Sequence, residues 1–236
     1  SNKQWSERIF DINRVDKCSQ DNDFSQILSK LIISRKFNDE EIHSINNPDS
    51  IIFSNVFRFN IDYKNAVKLV SSAIDKKEKI CIFGDYDVDG SCATALIIKF
   101  FKSIDHPHFY LIPDREKDGY GLNVKLVKKI IKEQPKLIIM VDNGSNSTKE
   151  INLLKENKID TLVIDHHQIN EPFPKANVII NPKKNNGYIE NDYMCATLLT
   201  FFFIDLLKEK IVTNFHLNDY LIYPLMATIC DVMPMR

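Results

Sequence analysis

Carboxylates and imidazoles recur in three short segments of the chain, Asp85-Tyr86-Asp87-Val88-Asp89-Gly90, Asp142-Asn143-Gly144 and Asp165-His166-His167. Each follows a short apolar run that reads as a buried strand, at residues 79–84, 137–141 and 161–164. Open parallel sheets place ligand sites at the carboxyl ends of their strands. Carboxylates gathered there repel one another and resist ionising together unless cations sit between them. A metal centre is therefore the economical reading. Asp231, near the end of an otherwise apolar stretch, is a further candidate, because a carboxylate in such surroundings rarely goes unpaired.

Oxygen donors with only one or two imidazoles suit Mg²⁺ or Mn²⁺ better than Zn²⁺. Two such ions about 3.5–4 Å apart, bridged by a shared carboxylate, activate water and stabilise a leaving oxygen in line with it. The chemistry expected is hydrolysis of a phosphate ester.

Each segment has a plainer alternative. Asp-x-Asp-x-Asp-Gly also opens a calcium loop of the EF-hand type, but that loop needs Glu at its twelfth position, where this chain has Leu96, and a helix ahead of it rather than a strand. Asp142-Asn143-Gly144 is also favoured turn chemistry. His166-His167 also suits a helix cap or a core pair, and Asp231 a solvated last turn. The coincidence of three metal-compatible segments at three strand ends favours the metal centre. No G-x-x-x-x-G-K-[ST] occurs, and Gly119-Tyr120-Gly121 lacks a third glycine where Val124 stands, so neither a P-loop nor a dinucleotide fingerprint is supported.

The elements that must position these residues follow from periodicity. Residues 23–45 carry Ile27, Leu28, Leu31 and Ile32 at helical spacing, and Asn46-Asn47-Pro48-Asp49 marks a break. A second helical stretch at residues 64–76 leads into the first strand. Further strands are expected at residues 109–112 and 177–180, with helices at 91–102, 123–133 and 148–157 between the strands. The last part, residues 192–208 and 218–232, reads as two helices packed on the sheet, with Pro224 kinking or re-capping the second. The expected fold is α/β, a mostly parallel sheet flanked by helices, with a small helical N-terminal region at residues 1–78 before a domain at 79–236.

Bulk properties fit this reading. At 236 residues, 44% hydrophobic and 27% charged, the composition is that of an ordinary globular protein, and no apolar run approaches a bilayer span. Five cysteines without a C-x-x-C pair point to a reducing, intracellular, cytoplasmic setting. The N-terminus has no signal peptide, and Ser1-Asn2 reads as a cleavage scar left by expression. A net charge of −1 provides no global attraction to nucleic acid, so any such binding is local. Lys125, Lys128, Lys129 and Lys132, interleaved with apolar residues, read as the solvated face of one helix. Lys183-Lys184, after Asn181-Pro182, are expected nearer the site.

In this order the segments resemble the DHH phosphoesterase superfamily, and within it the RecJ-type single-strand-specific exonucleases. The resemblance rests on residues 84–90, Asp114-Arg115 with Asp118-Gly119-Tyr120-Gly121-Leu122, Val141-Asp142-Asn143-Gly144, Asp165-His166-His167, Asn181-Pro182 and residues 227–234. It implies that Asp85 and Asp87 serve one metal, that Asp89, His166 and Asp231 serve the other, and that Asp142 bridges both. His167 would face the scissile phosphate, Arg115 would reach the substrate's phosphate, and Gly119 and Gly121, around Tyr120, would let the backbone approach closely. A surface ion pair with Glu116 or Asp118 is the competing role for Arg115.

The chain departs from the pattern in three places. Phe83 stands where many relatives have His, which throws more of the first metal's coordination onto Asp85. The turn Met194-Cys195-Ala196-Thr197 lacks the family's glycine. The chain also stops at Arg236, where the superfamily continues into a second, substrate-gripping DHHA1-type domain. The implied activity is two-metal hydrolysis of single-stranded DNA from a 5′ end, in repair or recombination, with a single-strand-binding protein or other repair proteins as partners and no membrane. The alternatives are a phosphodiesterase of short oligonucleotides or cyclic dinucleotides, a pyrophosphatase, and a non-catalytic binding subunit of the same fold.

Overall fold

The computed structural model describes residues 6, 8, 10–47, 55–184 and 192–234. Strands β1 (Ile80–Phe83), β3 (Leu137–Val141) and β5 (Val178–Ile180) are buried at every position, as is β4 (Asp160–Ile164) after its first residue. Strands apolar on both faces need cover on both, and a parallel sheet provides it through helical crossovers. With β2 (His108–Leu111) they form one parallel sheet in the order β2-β1-β3-β4-β5.

Alternation along the strands sorts side chains into two cores. Ile80, Ile82, Ile139, Val141, Leu162 and Ile164 face α4 (Ile61–Asp75), α5 (Val88–Ser103) and α8 (Ala196–Lys208). Cys81, Phe83, Ile138, Met140 and Val163 face α6 (Val124–Lys132) and α7 (Thr148–Glu156). The result is a helix-sheet-helix sandwich. From β1 the chain builds β2 on one side, then returns to β3 on the other. The order therefore reverses between β1 and β3, the point at which such sheets open a crevice at their carboxyl ends.

The polypeptide divides into two compact units, Ser1–Ser54 and Asn55–Arg236. In the first, α1 (Ile12–Asn22), α2 (Gln26–Ser34) and α3 (Asp39–Asn46) enclose Val15, Cys18, Ile32, Ile33 and Ile42. Helix α1 lies ahead of the helical region expected from periodicity. The apolar residues at helical spacing there are mostly outward, with Ile27 at 74% and Leu31 at 49% exposure, whereas Ile32 and Ile33 are buried. Pro48 and Asp49 of the expected break lie outside the described residues.

Helix α4, grouped above with the N-terminal region, packs into the second unit. Tyr63 stacks on Phe57 with ring centroids 4.3 Å apart and donates to the Leu199 carbonyl at 3.3 Å. Asn55 Nδ2 bonds the Phe202 carbonyl at 2.8 Å and Asp205 at 2.9 Å. The last expected helix is two elements, a 3₁₀ turn (Leu217–Tyr220) and α9 (Ile222–Cys230). Pro224 falls in the first turn of α9, where a missing N–H costs nothing, so it starts the helix rather than kinking it. Helix α8 begins at Ala196, later than the expected 192. Among the described residues no helix is long and apolar enough to cross a membrane.

One glycine sets how closely α5 approaches the sheet. A Cβ on Gly90 would lie 2.5 Å from Asp85 Cβ and 2.6 Å from Asp85 N. Alanine in a helix is normally better than glycine, yet Gly90→Ala must push α5 off the β1 end. We expect Gly90→Ala to destabilise by about 1–3 kcal/mol, read from the urea unfolding midpoint; an unchanged or raised midpoint would contradict the close approach.

Candidate metal centre

Asp142 directly follows β3 with φ +61°, a left-handed conformation uncommon for a residue with a side chain. It is 1% exposed, and neither carboxylate oxygen has a hydrogen-bond partner among the described residues. Around it, candidate donor atoms gather in overlapping trios, Asp85 with Asp87 and Asp142, Asp89 with His166 and Asp231, and Asp142 with His166 and His167, the atoms of each lying within 4.8 Å of one another.

His166 Nε2 stands 3.3 Å from Asp142 Oδ1, 3.4 Å from Asp231 Oδ2 and 3.6 Å from Asp89 Oδ2. Yet neither ring nitrogen has a hydrogen-bond partner among the described residues. Buried polar atoms are almost always bonded, so atoms that converge without bonding one another fit a shared cation. Titration points the same way. Burial, then the charges of Asp89, Asp87 and Asp165, push the Asp142 carboxyl up to about 11. Burial also raises Asp85 and Asp231 and holds His166 below its ordinary value, in the neutral form that ligates metals.

Three further carboxylates of the trios are held by backbone. Asp85 accepts from the Tyr86 N–H at 2.8 Å, and Asp87 caps α5 by accepting from the Gly90 N–H at 2.9 Å. Asp89 is gripped by the first turn of α8, whose Ala196 and Thr197 N–H groups each donate to one of its oxygens at 2.7 Å. The Thr197 hydroxyl donates to the Asp89 carbonyl at 2.8 Å. A helix N-terminus suits an acidic side chain, and that of α8 fixes the position of Asp89. The turn lacking the family's glycine thus has a definite task, performed by main-chain groups that any residue supplies.

Asp165 does not join the ligand trios. One of its oxygens accepts from the His166 and His167 N–H groups at 2.8 and 3.2 Å and from His167 Nδ1 at 2.8 Å, while the other accepts from the Ser145 N–H at 3.0 Å. Burial pushes this carboxyl up, but the His167 and Ser145 bonds outweigh it and hold it at about 2. Reciprocally, the Asp165 bond raises His167. With Nδ1 so engaged, the other ring nitrogen of His167 is free to meet a ligand. Asn181 Nδ2 fastens the same turn, bonding the His167 carbonyl at 2.9 Å and Ser145 Oγ at 2.7 Å.

The segment carrying Arg115 and the two glycines lies at the rim. The Arg115 guanidinium sits 5.3 Å from the Tyr86 ring centroid, over the residue between Asp85 and Asp87. Asp118 pairs instead with Lys125, at 2.7 Å. Gly119 and Gly121 have φ +76° and +75°, so the turn needs glycine for its conformation, although open space surrounds both. Tyr120, between them, reaches inward, its hydroxyl 3.2 Å from the Asp142 carbonyl and 3.2 Å from His167 Nδ1. Phe83 is fully buried in the sheet core behind the centre. Lys184 is tied to Asp62 at 2.9 Å.

Sequence reasoning missed the roles of Ala196, Thr197, Ser145 and Asn181. Asn181 and Ser145 left a trace, since amide and hydroxyl side chains close to ligand segments are natural orienting groups. The α8 turn stood out only for its missing glycine, which says nothing of its hold on Asp89.

A carboxylate whose folded value is depressed adds stability above its ordinary value and loses it as pH falls through the folded one. Asp165→Asn is therefore expected to lower stability by about 2 kcal/mol at pH 7, with the gap from the parent closing as pH drops from about 4 toward 2. Urea unfolding at pH 7 and pH 3 measures it; a gap that stays constant would refute the assignment.

Comparison with known proteins identifies the family. The family model described as "DHH family, N-terminal domain" matches residues 79–228. The single-stranded-DNA-specific exonuclease RecJ of Haemophilus influenzae is 30% identical over 181 residues, covering 73% of this chain and 32% of that protein. Its namesake from Bacillus subtilis is 28% identical over 185 residues, covering 78% and 23%. A crystal structure of exonuclease RecJ bound to manganese superposes with a TM-score of 0.66 at 25% identity, over 73% of this chain and 44% of that one. RecJ from Thermus thermophilus in complex with Mn²⁺ shares the fold, with a TM-score of 0.71 at 19% identity over 95% of this chain and 31% of that one. The chain spans about a third or less of the length of these curated relatives. With the match running from β1 through the body of α9 and taking in the carboxylate and histidine segments of the sheet's carboxyl edge, the chain belongs to the DHH family.

Proposed function

We propose that this chain is the metal-holding part of a phosphodiesterase that hydrolyses single-stranded DNA from its 5′ end, using Mn²⁺ or Mg²⁺, in DNA repair or recombination in the cytoplasm. The observation that carries the reading is Asp142, a buried carboxylate with both oxygens unbonded among the described residues, between the Asp85–Asp87 pair and the Asp89–His166–Asp231 trio. The names of the RecJ relatives support the substrate class, and the manganese-bound neighbour supports the metal. Oxygen donors with one imidazole fit both cations.

Asp85, Asp87 and Asp142 would hold one cation, and Asp89, His166 and Asp231 with Asp142 the other. Divalent cations bound there would supply Lewis acidity toward a phosphoryl oxygen and acidify water at neutral pH. The protein's own groups perform the rest. His167, its Nδ1 donating to Asp165, offers its second nitrogen to a phosphoryl oxygen, and the Asp165 carboxylate favours the protonated ring that such an oxygen needs. Arg115 presents a forked donor to a phosphate at the rim. The grip of α8 on Asp89 keeps that carboxylate from swinging toward His166 when no cation intervenes. A single-strand-binding protein is the partner expected to deliver substrate.

Cation binding leaves a thermal signature. A carboxyl whose folded value is raised stabilises the fold while protonated, so stability of the cation-free protein should fall as pH rises from the ordinary carboxylate range toward about 11. Without added metal, Asp142→Asn is expected to be the more stable protein at pH 8 by about 1–3 kcal/mol. Added Mn²⁺ should raise the Tm of the parent and leave that of the variant unmoved. A variant stabilised by Mn²⁺ as much as the parent would remove Asp142 from the ligand set.

Activity is tested by incubating the chain with Mn²⁺ or Mg²⁺ and 5′-labelled single-stranded DNA, duplex DNA, dinucleotides and pyrophosphate. Hydrolysis of the single strand, reduced about 100-fold or more by Asp142→Ala, is the expected result. Turnover confined to dinucleotides or pyrophosphate would replace the exonuclease reading with a small-ester phosphodiesterase.

A further inference from the structure

Next to the metal centre a cavity of about 410 Å³ opens between the Tyr120 turn and the start of α7. Tyr120 and Leu122 line one side, Asn146, Ser147 and Glu150 the other, and His167 stands where it meets the carboxylate cluster. Its size lies within the roughly 300–1,000 Å³ of small-ligand sites.

The chemistry of the walls is selective. No Lys or Arg is among the described lining residues, and Glu150 adds a half-buried carboxylate on the α7 side. A phosphate entering this space would meet like charge, so phosphate belongs at the centre and its arginine rim instead. Asn146 donates one of its two amide N–H groups to the Gln168 carbonyl at 3.0 Å, which orients the side chain and leaves its oxygen as an acceptor. Ser147, at the N-cap of α7, makes no capping bond with its side chain. Asp165, though on the wall, is already committed to the histidine turn and Ser145. The groups left to a ligand are therefore the Glu150 carboxylate, the Asn146 oxygen and its second N–H, the Gln168 side chain, a hydroxyl, and the Tyr120 and Leu122 side chains. Such walls favour a neutral, flat, N–H-bearing ring over any anion.

We propose that this cavity binds the nucleoside joined to the scissile phosphate, its base edge donating N–H groups to Glu150 and to Asn146 Oδ1, and its ring against Tyr120. The proposal rests on the phosphodiesterase reading above and deepens it, because it locates the uncharged part of the substrate that reading requires. Guanosine, with adjacent ring and amino N–H donors matching a carboxylate, is the preferred occupant, and thymidine, with a single ring N–H, the poorer one.

Two measurements on the intact chain separate this proposal from the reading it rests on. Backbone amide spectra are recorded while deoxyguanosine, thymidine or inorganic phosphate is titrated into metal-free protein. Deoxyguanosine should shift the amides of Asn146, Ser147 and Glu150, binding about tenfold more tightly than thymidine, with the shifts lost in Glu150→Ala. Phosphate should leave these amides unmoved. Hydrolysis is then followed on bis(p-nitrophenyl) phosphate, which has no nucleoside, and on the p-nitrophenyl ester of deoxyguanosine 5′-phosphate. The ratio of kcat/KM for the nucleoside ester over the plain ester should fall about tenfold in Glu150→Ala and in the cavity-filling Ser147→Trp.

An unchanged ratio, or nucleoside titrations that shift none of these amides, overturns the cavity assignment even if both esters are cleaved. Nucleoside binding by a protein that cleaves neither ester keeps the cavity and removes the phosphodiesterase reading.

Discussion

Repulsion between carboxylates in a dry crevice is the constraint around which this structure is arranged. Asp85, Asp89, Asp142 and Asp165 are each almost fully buried at the carboxyl ends of neighbouring strands or in the turn that follows. Left alone, such groups would take up protons or splay apart. The chain prevents the second outcome by pinning three of them with main-chain donors, from Tyr86, from the first turn of α8, and from Ser145 with the histidine turn. Asp142 alone among these four keeps both oxygens unbonded, and its left-handed backbone holds it in place. The frustration is thereby concentrated on one side chain at the centre of the cluster, where a cation would relieve most of it.

The scaffold serves that arrangement. Strands buried on both faces fix the heights of their carboxyl ends, and the reversal of order between β1 and β3 opens the crevice that Asp85 and Asp142 flank. Helices α5 and α8 matter less as walls than as termini, because the N-cap and first turn of one deliver Asp87 and Asp89 and the first turn of the other secures Asp89. The Gly90 contact locks α5 to the strand end, so the core in front of α8 and the spacing of the ligands depend on the same close approach.

Much of this was legible in the sequence where chemistry and periodicity coincide. The limits of β3 match the apolar run 137–141, because a strand buried on both sides writes itself as an unbroken apolar block. The carboxylates and histidines announced themselves by type and by their place after such blocks. The rest was hidden for definite reasons. Ile27 and Leu31 have helical spacing but lie outward, since periodicity marks a stripe without saying which face meets a neighbour. Pro224 left a kink and a re-capping both open, because its position within the first turn of α9 depends on where the preceding 3₁₀ turn stops. The hold of Ala196 and Thr197 on Asp89 is made by main-chain groups, which no side-chain pattern records.

That last contact also bears on the order in which the protein comes into being. Thr197 and Asp89 are 108 residues apart, and Asp231, at the C-cap of α9, belongs with Asp89 to the same trio. On a ribosome the β1–α5 unit emerges long before either partner, and entropy disfavours so distant a closure until the intervening sheet has formed. A nascent chain therefore presents Asp85, Asp87 and Asp89 without the groups that complete the cluster. Whatever the cluster does must wait for release of α9. The order of synthesis thus delays completion of the cluster until its most distant member has emerged.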